Sequence, residues 1–330
     1  MPDPRLKNYA AQAGRHLGLS GATLAARQAA ASQAAEGSAR GNVPPWPRAD
    51  DVDFHGTLGA VWIWARHHLL TGDARFAANR ASAWAFVEAQ GRKFIPEALD
   101  SLASDEGAYD CAVLLMAYAA ERAVGAIDSR KQILVDRAAR VLAAYLAELH
   151  DLSGREFKDP GFLAKALVDH ARLVEDRGLS AVGRKFVERA FGMKAPPPFS
   201  TEVETQGGLF DFSSTTATRV LAVIAAEGPT PFVGAWLRER VAPLVPPAFV
   251  ARRREENTWN ACAAWALGQA YVVATDPTFL QAYTEIVDEL ERRDGDRDGA
   301  LPRDRTVHDG ETSATFYYAL AVDALVADGR

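Results

Sequence analysis

The chain has 330 residues, of which 48% are hydrophobic and 24% charged, a composition typical of globular rather than disordered proteins. Its formal net charge of −6 argues against binding to nucleic acids or to anionic membranes. Two cysteines are too few for a disulfide framework, and no run of about 18 uncharged apolar residues predicts a membrane span. No apolar segment resembling a signal peptide follows the first residues, so we expect a cytoplasmic protein.

A repeat of about 50 residues organises the sequence. In each repeat, a short cluster of polar and aromatic residues precedes a helix rich in small and apolar residues. Strand signals are scarce, whereas helical apolar spacing is found throughout. Repeats of this length are typical of stacked supersecondary units that share one core. The six clusters lie at residues 53–57, 107–111, 160–163, 210–214, 257–260 and 310–313.

Each repeat is predicted to form a hairpin of one buried and one exposed helix. The first helix of a pair is apolar on nearly all sides, as in residues 113–120 and 261–274, which favours burial. The second helix is amphipathic and rich in charges, as in residues 128–148 and 276–293, which favours an exposed position.

Two similar turns join the helices of the first and fifth pairs. Residues 71–76 and 274–279 both place an Asp three residues before a Phe. Asp73 and Asp276 are the predicted N-caps of the helices that follow, and Pro277 suits a first helical position.

The number of helices predicts an all-α fold, an (α/α)6 toroid of six helical hairpins. Six first helices are recognised but only five second helices, and the N-terminal segment can supply the missing outer helix and close the ring. We therefore expect residues 1–330 to form one domain, with an outer helix in residues 1–40 and successive hairpins in residues 41–330. The alternative is an open helical solenoid.

A ring of this kind places the N-termini of all inner helices at one rim of a central funnel. The positive ends of the helix dipoles meet there, which favours carboxylates and anionic ligands. The polar clusters lie at these helix starts, and aromatic rings beside carboxylates are typical of sugar-binding sites. The alternative is that the polar residues are only helix N-caps and the aromatic residues ordinary core.

Three segments resemble the unsaturated glucuronyl and rhamnogalacturonyl hydrolases. Residues 311–321 are similar to the last inner helix of that family, residues 53–76 to its first helix and turn, and residues 109–117 to its Trp-x-Asp-x-x-x-Met segment. The family's Trp-x-Arg-Gly sugar-binding segment has no counterpart here. The resemblance implies an (α/α)6 toroid in which Asp110 is the acid/base that hydrates the double bond of an unsaturated uronic acid without a metal.

The candidate site residues come from the predicted rim. Asp110 and Asp53 are the predicted catalytic carboxylates, since a pair of carboxyl groups suits glycoside hydrolysis and Asp110 precedes an apolar helix. No phosphate-binding glycine loop, nucleophile elbow or His-Glu-x-x-His motif occurs, so no cofactor is expected. The predicted substrate-binding residues are His55, Tyr109, Asp211, Trp259, Asn260 and Glu311.

One acidic segment has the pattern of half a calcium loop. Asp294, Asp296 and Asp298 match Asp-x-Asp-x-Asp-Gly, but Arg305 stands at the twelfth position, where such a loop needs a glutamate. A hydrophilic turn is therefore expected here, and no metal site is predicted.

The sequence thus predicts a carbohydrate-active protein, a metal-independent glycoside hydrolase that acts on a small oligosaccharide or uronic acid in the central funnel. The alternatives are a non-catalytic helical-repeat binding protein and a terpenoid-cyclase-like enzyme. A funnel filled by Phe54, Tyr109 or Trp259 would favour the non-catalytic protein, and an apolar pocket with one buried acid would favour the cyclase. The oligomeric state is left open.

Overall fold

The structure of the chain is a computed structural model. It describes residues 13, 42–43, 53–95, 105–125, 128–150, 160–194, 202–205, 208–245, 257–294, 301 and 312–326.

Helices alternate between an inner and an outer layer. The inner helices are α1 (Phe54–Thr71), α3 (Asp105–Ala123), α5 (Pro160–Leu173), α7 (Phe212–Glu227), α9 (Asn257–Ala274) and α11 (Thr312–Asp323). The outer helices are α2 (Ala77–Phe94), α4 (Ser129–Glu148), α6 (Arg177–Ala190), α8 (Pro231–Trp236) and α10 (Pro277–Arg293). A π-helical turn (Leu237–Val241) and a 3-10 turn (Ala242–Leu244) extend α8. A short antiparallel hairpin, β1 (Glu202–Thr205) with β2 (Gly208–Asp211), precedes α7.

The inner helices form a closed ring. Each of them packs against the next one in chain order, and α11 packs against α1. An ion pair strengthens this last contact, because Arg66 Nη2 of α1 lies 2.6 Å from Asp323 Oδ1 of α11. The predicted (α/α)6 toroid is confirmed, and the open solenoid is wrong. The predicted outer helix in residues 1–40 lies outside the described residues except for Ala13, which is helical and buried.

Small residues allow the inner helices to pack closely. A Cβ atom on Gly161 of α5 would lie 2.6 Å from the backbone oxygen of Thr218 in α7, so that contact requires a glycine. The inner helices are buried on most sides, as their apolar composition predicts, whereas outer helices such as α6 bury only one face.

The two predicted N-caps have different outcomes. Asp276 caps α10, since its side chain accepts a hydrogen bond of 2.9 Å from the backbone N–H of Thr278. The prediction for Asp73 is wrong, because α2 begins at Ala77 and its N-cap position is occupied by Phe76. Asp73 instead accepts a hydrogen bond of 2.9 Å from the backbone N–H of Arg75 within the turn.

A buried group of charges joins α2, α3 and α4. Glu121 of α3 is 1% exposed and lies between two cations: its Oε1 is 2.5 Å from Arg80 Nε and its Oε2 is 3.3 Å from Lys131 Nζ. Lys131 Nζ also lies over the ring of Trp84, 5.0 Å from its centre. These residues are distant in sequence and hold three helices together near the C-terminal end of α3.

A buried histidine lies near the same end of the ring. His170 of α5 is 2% exposed, its ring meets Tyr118 edge-on, and its Nδ1 has no hydrogen-bond partner among the described residues. Burial lowers the pKa of His170 below its usual 6.5, and the Asp136 carboxylate opposes this effect.

We expect this histidine to make the fold sensitive to acid. Because the pKa of His170 is lower in the folded chain, the unfolded chain binds more protons, and stability is lost as the pH falls below about 6.5. The free energy of unfolding should therefore drop less between pH 8 and pH 5.5 in His170→Gln than in the wild type. Urea unfolding at both pH values measures this difference. His150→Gln, which changes an exposed histidine, is the control and should follow the wild type.

Candidate functional site

The start of α1 is held by Asp53. Its Oδ1 accepts a hydrogen bond of 2.7 Å from the backbone N–H of Gly56, and its own N–H donates one of 3.0 Å to Asn42 Oδ1. A side chain at position 56 would collide with this cap, because a Cβ there would lie 2.2 Å from Asp53 Oδ2. Asp53 is therefore a fixed carboxylate at the N-terminus of an inner helix, where the helix dipole favours an anion.

His55 lies between two carboxylates. Its Nε2 is 3.5 Å from Asp53 Oδ1, and its Nδ1 is 3.4 Å from Asp110 Oδ1 of α3. The side chain of His55 is 28% exposed, whereas those of Asp53 and Asp110 are 6% and 4% exposed. The imidazole is thus the accessible member of the group, and both carboxylates are within ion-pair distance of it.

Tyr109 lies beside this group. The rings of Tyr109 and His55 form an edge-to-face pair with their centres 5.3 Å apart, and the Tyr109 hydroxyl is hydrogen bonded at 2.8 Å to that of Tyr317 in α11. Burial raises the pKa of Tyr109 well above its usual range, while the hydrogen bond with Tyr317 opposes this effect. Tyr109 is therefore neutral at physiological pH, and its hydroxyl can donate a hydrogen bond.

Aromatic rings from four inner helices meet inside the ring. Phe162 of α5 contacts Tyr109 at 5.2 Å and Tyr317 at 5.9 Å between ring centres. Since α5 and α11 are opposite each other in the ring, this contact crosses its axis. Trp265 of α9 meets Phe162 edge-on at 6.3 Å. We refer to Tyr109, Phe162, Trp265 and Tyr317 as the aromatic floor.

The structure brings together four predicted site residues, Asp53, His55, Tyr109 and Asp110. Trp259 and Asn260 are in the first turn of α9, which lies opposite α3 in the ring. Trp265 of the same helix contacts Phe162, so α9 reaches the aromatic floor from the side opposite α3.

Asn260 occupies a position with a structural role in two other repeats. It is the fourth residue of α9, as Thr57 is of α1 and Thr315 of α11. The hydroxyl oxygens of Thr57 and Thr315 accept hydrogen bonds of 2.8 and 3.0 Å from backbone N–H groups fourteen residues earlier, at Val43 and Leu301. This parallel favours a structural role for Asn260, and sugar binding by it stays a prediction.

Other predicted residues contribute less to the described site. Asp211 is the last residue of β2, and its side chain is outside the described part of the structure. Glu311, Asp296 and Asp298 also lie outside the described residues. Asp294 is the C-cap of α10, where its N–H bonds to the carbonyl oxygen of Leu290 at 3.2 Å.

Phe54 does not fill the funnel. It is 2% exposed and stacks on Phe94 of α2 with 4.7 Å between ring centres, so it faces the outer layer. Tyr109 does contact Phe162 and Tyr317 across the ring, which is the outcome that favours the non-catalytic protein. The two cysteines are buried free thiols, as predicted, and burial raises the pKa of Cys111.

The sequence did not identify the partners of Tyr109 as site residues. Tyr317 and Trp265 lie inside apolar helices, and Phe162 was recognised only as part of a helix start. A tyrosine in an otherwise apolar helix is a weak signal, because a buried hydroxyl needs a hydrogen-bond partner. The partner itself, in a helix 208 residues away, could not be inferred.

Among the described residues, the acidic, histidine and cysteine side chains form no group of three that could hold a metal ion. No described helix is both long enough and apolar enough to cross a membrane.

No protein-family model matches the sequence, and a search of curated proteins finds no match. Solved structures share its fold. An unsaturated glucuronyl hydrolase specific for heparin is 14% identical with a TM-score of 0.65, over 94% of this chain and 97% of that one. The unsaturated glucuronyl hydrolase from Bacillus sp. GL1 is 15% identical with a TM-score of 0.61, over 97% of each chain.

A third similar structure belongs to a different group of enzymes. The GH76A α-1,6-mannanase from Salegentibacter sp. HEL1_6 is 10% identical with a TM-score of 0.60, over 92% of this chain and 98% of that one. At these identities the similarity establishes the fold alone. It confirms the (α/α)6 toroid and the predicted resemblance to six-hairpin toroid proteins.

Proposed function

We propose that this protein is a glycoside hydrolase that binds a small oligosaccharide or a uronic acid at the mouth of the ring. The observation that carries the proposal is the position of Asp110: a nearly buried carboxylate, paired with His55 and next to the aromatic floor. Carboxyl groups held in such places act as proton donors and acceptors in glycoside hydrolysis.

The surroundings of Asp110 suit a sugar ring. Tyr109 offers an aromatic face and a neutral hydroxyl, and the inner-helix N-termini favour a ligand carboxylate. Proteins of the same fold support this substrate class: two of the similar structures are unsaturated glucuronyl hydrolases, and an inactive variant of the mannanase is in complex with α-1,6-mannotriose.

We assign the central role to Asp110, with Asp53 as the second carboxylate. Asp53 already caps α1 and faces His55. Its role is therefore to orient the imidazole of His55 and to balance its charge, and not to contact the ligand. The two carboxylates face opposite nitrogens of one imidazole, so the three side chains do not converge on a common point. This arrangement favours a metal-independent reaction.

The other proposed functions fit this geometry less well. A terpenoid-cyclase-like pocket would be apolar with one acid, whereas two carboxylates and a histidine meet here. The contacts of Tyr109 across the ring favour a non-catalytic binding protein, but that function does not account for the nearly buried Asp110 paired with His55. We also propose that residues 1–330 form a single domain. The two buried free thiols favour a cytoplasmic location.

A thermal-shift screen tests the proposed ligand class. Uronic acids, unsaturated uronyl disaccharides and mannose oligosaccharides are added to the full chain, with isoprenoid diphosphates and calcium as comparisons. A sugar at a hundred times its dissociation constant should raise the free energy of unfolding by about 2.7 kcal/mol. Stabilisation by an isoprenoid diphosphate and by no sugar would overturn the proposal.

A further inference from the structure

Val43 and Leu301, which precede α1 and α11, are attached to these helices in the same way. The backbone N–H of Val43 donates a hydrogen bond of 2.8 Å to Thr57 Oγ1, and that of Leu301 donates one of 3.0 Å to Thr315 Oγ1. Each threonine is the fourth residue of its helix, and its donor lies fourteen residues earlier. All four residues are completely buried. We call each of these pairs a threonine clamp.

The sequence repeats the parts of the clamp in two neighbouring hairpins. Val43 and Leu301 are aliphatic residues, each followed directly by a proline, which disfavours the helical region for the residue before it. Neither belongs to a helix or a strand, so no regular ladder of hydrogen bonds supplies an acceptor for its N–H. Because a buried N–H without an acceptor is unfavourable, each of these residues depends on the threonine hydroxyl.

The clamp on α1 also holds the backbone of Asp53. The hydroxyl of Thr57 accepts the hydrogen of Val43 and donates its own to the backbone oxygen of Asp53, 2.7 Å away. The backbone N–H of Asp53 donates a hydrogen bond of 3.0 Å to Asn42 Oδ1. A hydroxyl can accept and donate at one atom, whereas a methyl group can do neither. Thr57 therefore fastens residues 42–43 to the start of α1.

Holding the backbone of Asp53 also directs its carboxylate. Asp53 Oδ1 accepts the N–H of Gly56 and lies 3.5 Å from Nε2 of His55, which is the accessible member of the candidate site. Among the described residues, no hydrogen bond joins Thr315 to this site, although α11 packs against α1. The two clamps thus share their geometry, but only the clamp on α1 reaches the candidate site through the described hydrogen bonds.

We propose that Thr57 is a positioning residue of the candidate site, which holds the Asp53 carboxylate towards His55 by fastening residues 42–43 to the start of α1. The clamp itself depends on the hydrogen bonds alone, whereas its part in catalysis rests on the proposed function. Thr315 is the same clamp without that part, and it supplies the matched control.

Amide hydrogen exchange, followed by NMR on the full chain, tests the clamp without a ligand. Thr57→Val keeps the shape of the side chain and removes the hydroxyl, so the amide of Val43 should exchange about tenfold faster than in the wild type. Thr57→Ser keeps the hydroxyl and should retain the wild-type rate. Thr315→Val should accelerate Leu301 by a similar factor and leave Val43 unchanged.

An unchanged rate for Val43 in Thr57→Val would mean that the hydroxyl does not hold this segment, and the proposal would be wrong. Thr57→Ala replaces Thr57→Val if the valine variant does not fold, and Thr57→Ser remains the comparison. The serine variant separates the loss of the hydroxyl from the loss of packing.

Nitrogen-15 NMR of the imidazole rings tests the positioning role. The signals of His55 are those missing from His55→Gln. They should move in Thr57→Val, because the Asp53 carboxylate beside the ring is no longer held, and stay in place in Thr57→Ser and Thr315→Val. If they stay in place in Thr57→Val, or move as far in Thr315→Val, Thr57 supports the fold alone and is not a positioning residue.

Kinetics with a sugar substrate separates this inference from the proposed function. Thr57→Val should lower kcat by about tenfold and change KM little, because a misplaced group slows the reaction while the ligand contacts remain. Thr315→Val should keep the wild-type kcat. A wild type that turns over no sugar would refute the glycoside hydrolase, and the exchange rates and ring signals would still decide the clamp. Sugar turnover that is the same in Thr57→Val and the wild type would refute the positioning role.

Discussion

Glu121→Gln is expected to lower the free energy of unfolding by about 3 to 5 kcal/mol. The carboxylate of Glu121 is the anion between Arg80 and Lys131, and all three residues are buried. Glutamine has the same shape but no charge, so the buried ion pairs with Arg80 and Lys131 would be lost. Burial raises the pKa of Glu121, and the two cations oppose this effect. Urea unfolding at pH 7 measures the loss.

An exposed ion pair supplies the control. Asp169 contacts Lys165 one turn away on the same helix, but its side chain is 43% exposed. Asp169→Asn should cost less than about 1 kcal/mol, because water screens the pair. Equal and small losses in the two variants would mean that the buried group contributes no more than a surface pair. The contact between α2, α3 and α4 would then depend on apolar packing.

The starts of the inner helices could be predicted because they are marked by local residues. A polar residue followed by a continuous apolar segment signals a helix start whatever the rest of the chain does. Five of the six clusters contain the observed first residue of their helix, at Phe54, Pro160, Phe212, Asn257 and Thr312. The closed ring could be predicted from the number of helices.

The Asp73 turn shows where a local signal fails. The turns at Asp73 and Asp276 look alike, but only the second contains a proline at the next position, whose fixed φ angle favours a helix start there. Without it, the chain makes one more turn before α2 begins. Similarity of composition was therefore not sufficient to predict the same cap.

Part of the site could be predicted because its residues lie at helix starts. Asp53, His55, Tyr109 and Asp110 all belong to helix starts, which the ring brings to one rim. The pairing of His55 with Asp110 depends on how α3 is rotated against α1, and each residue turns a helix by about 100°. Tyr317 was missed because its helix is buried on all sides, so hydrophobicity does not show which face meets the axis.

The decisive test of the proposed chemistry is Asp110→Asn. The amide keeps the shape of the side chain but cannot exchange a proton, so kcat on the sugar identified by the screen should fall by about 10² to 10⁴-fold. Sugar binding, measured as the thermal shift, should remain, because the aromatic floor and the helix N-termini are unchanged. This split between binding and turnover is expected of a residue that moves a proton and not of one that supports the fold.

Asp136→Asn, on the outer helix α4, controls for the loss of a partly buried carboxylate. It should retain wild-type kcat, since its side chain pairs with Gln132 and lies outside the described site. If Asp110→Asn also retained kcat while binding the sugar, Asp110 would not be the acid, and the histidine beside it would become the group to change next. If Asp110→Asn lost sugar binding while remaining folded, its carboxylate would hold the ligand, as expected of the non-catalytic binding protein.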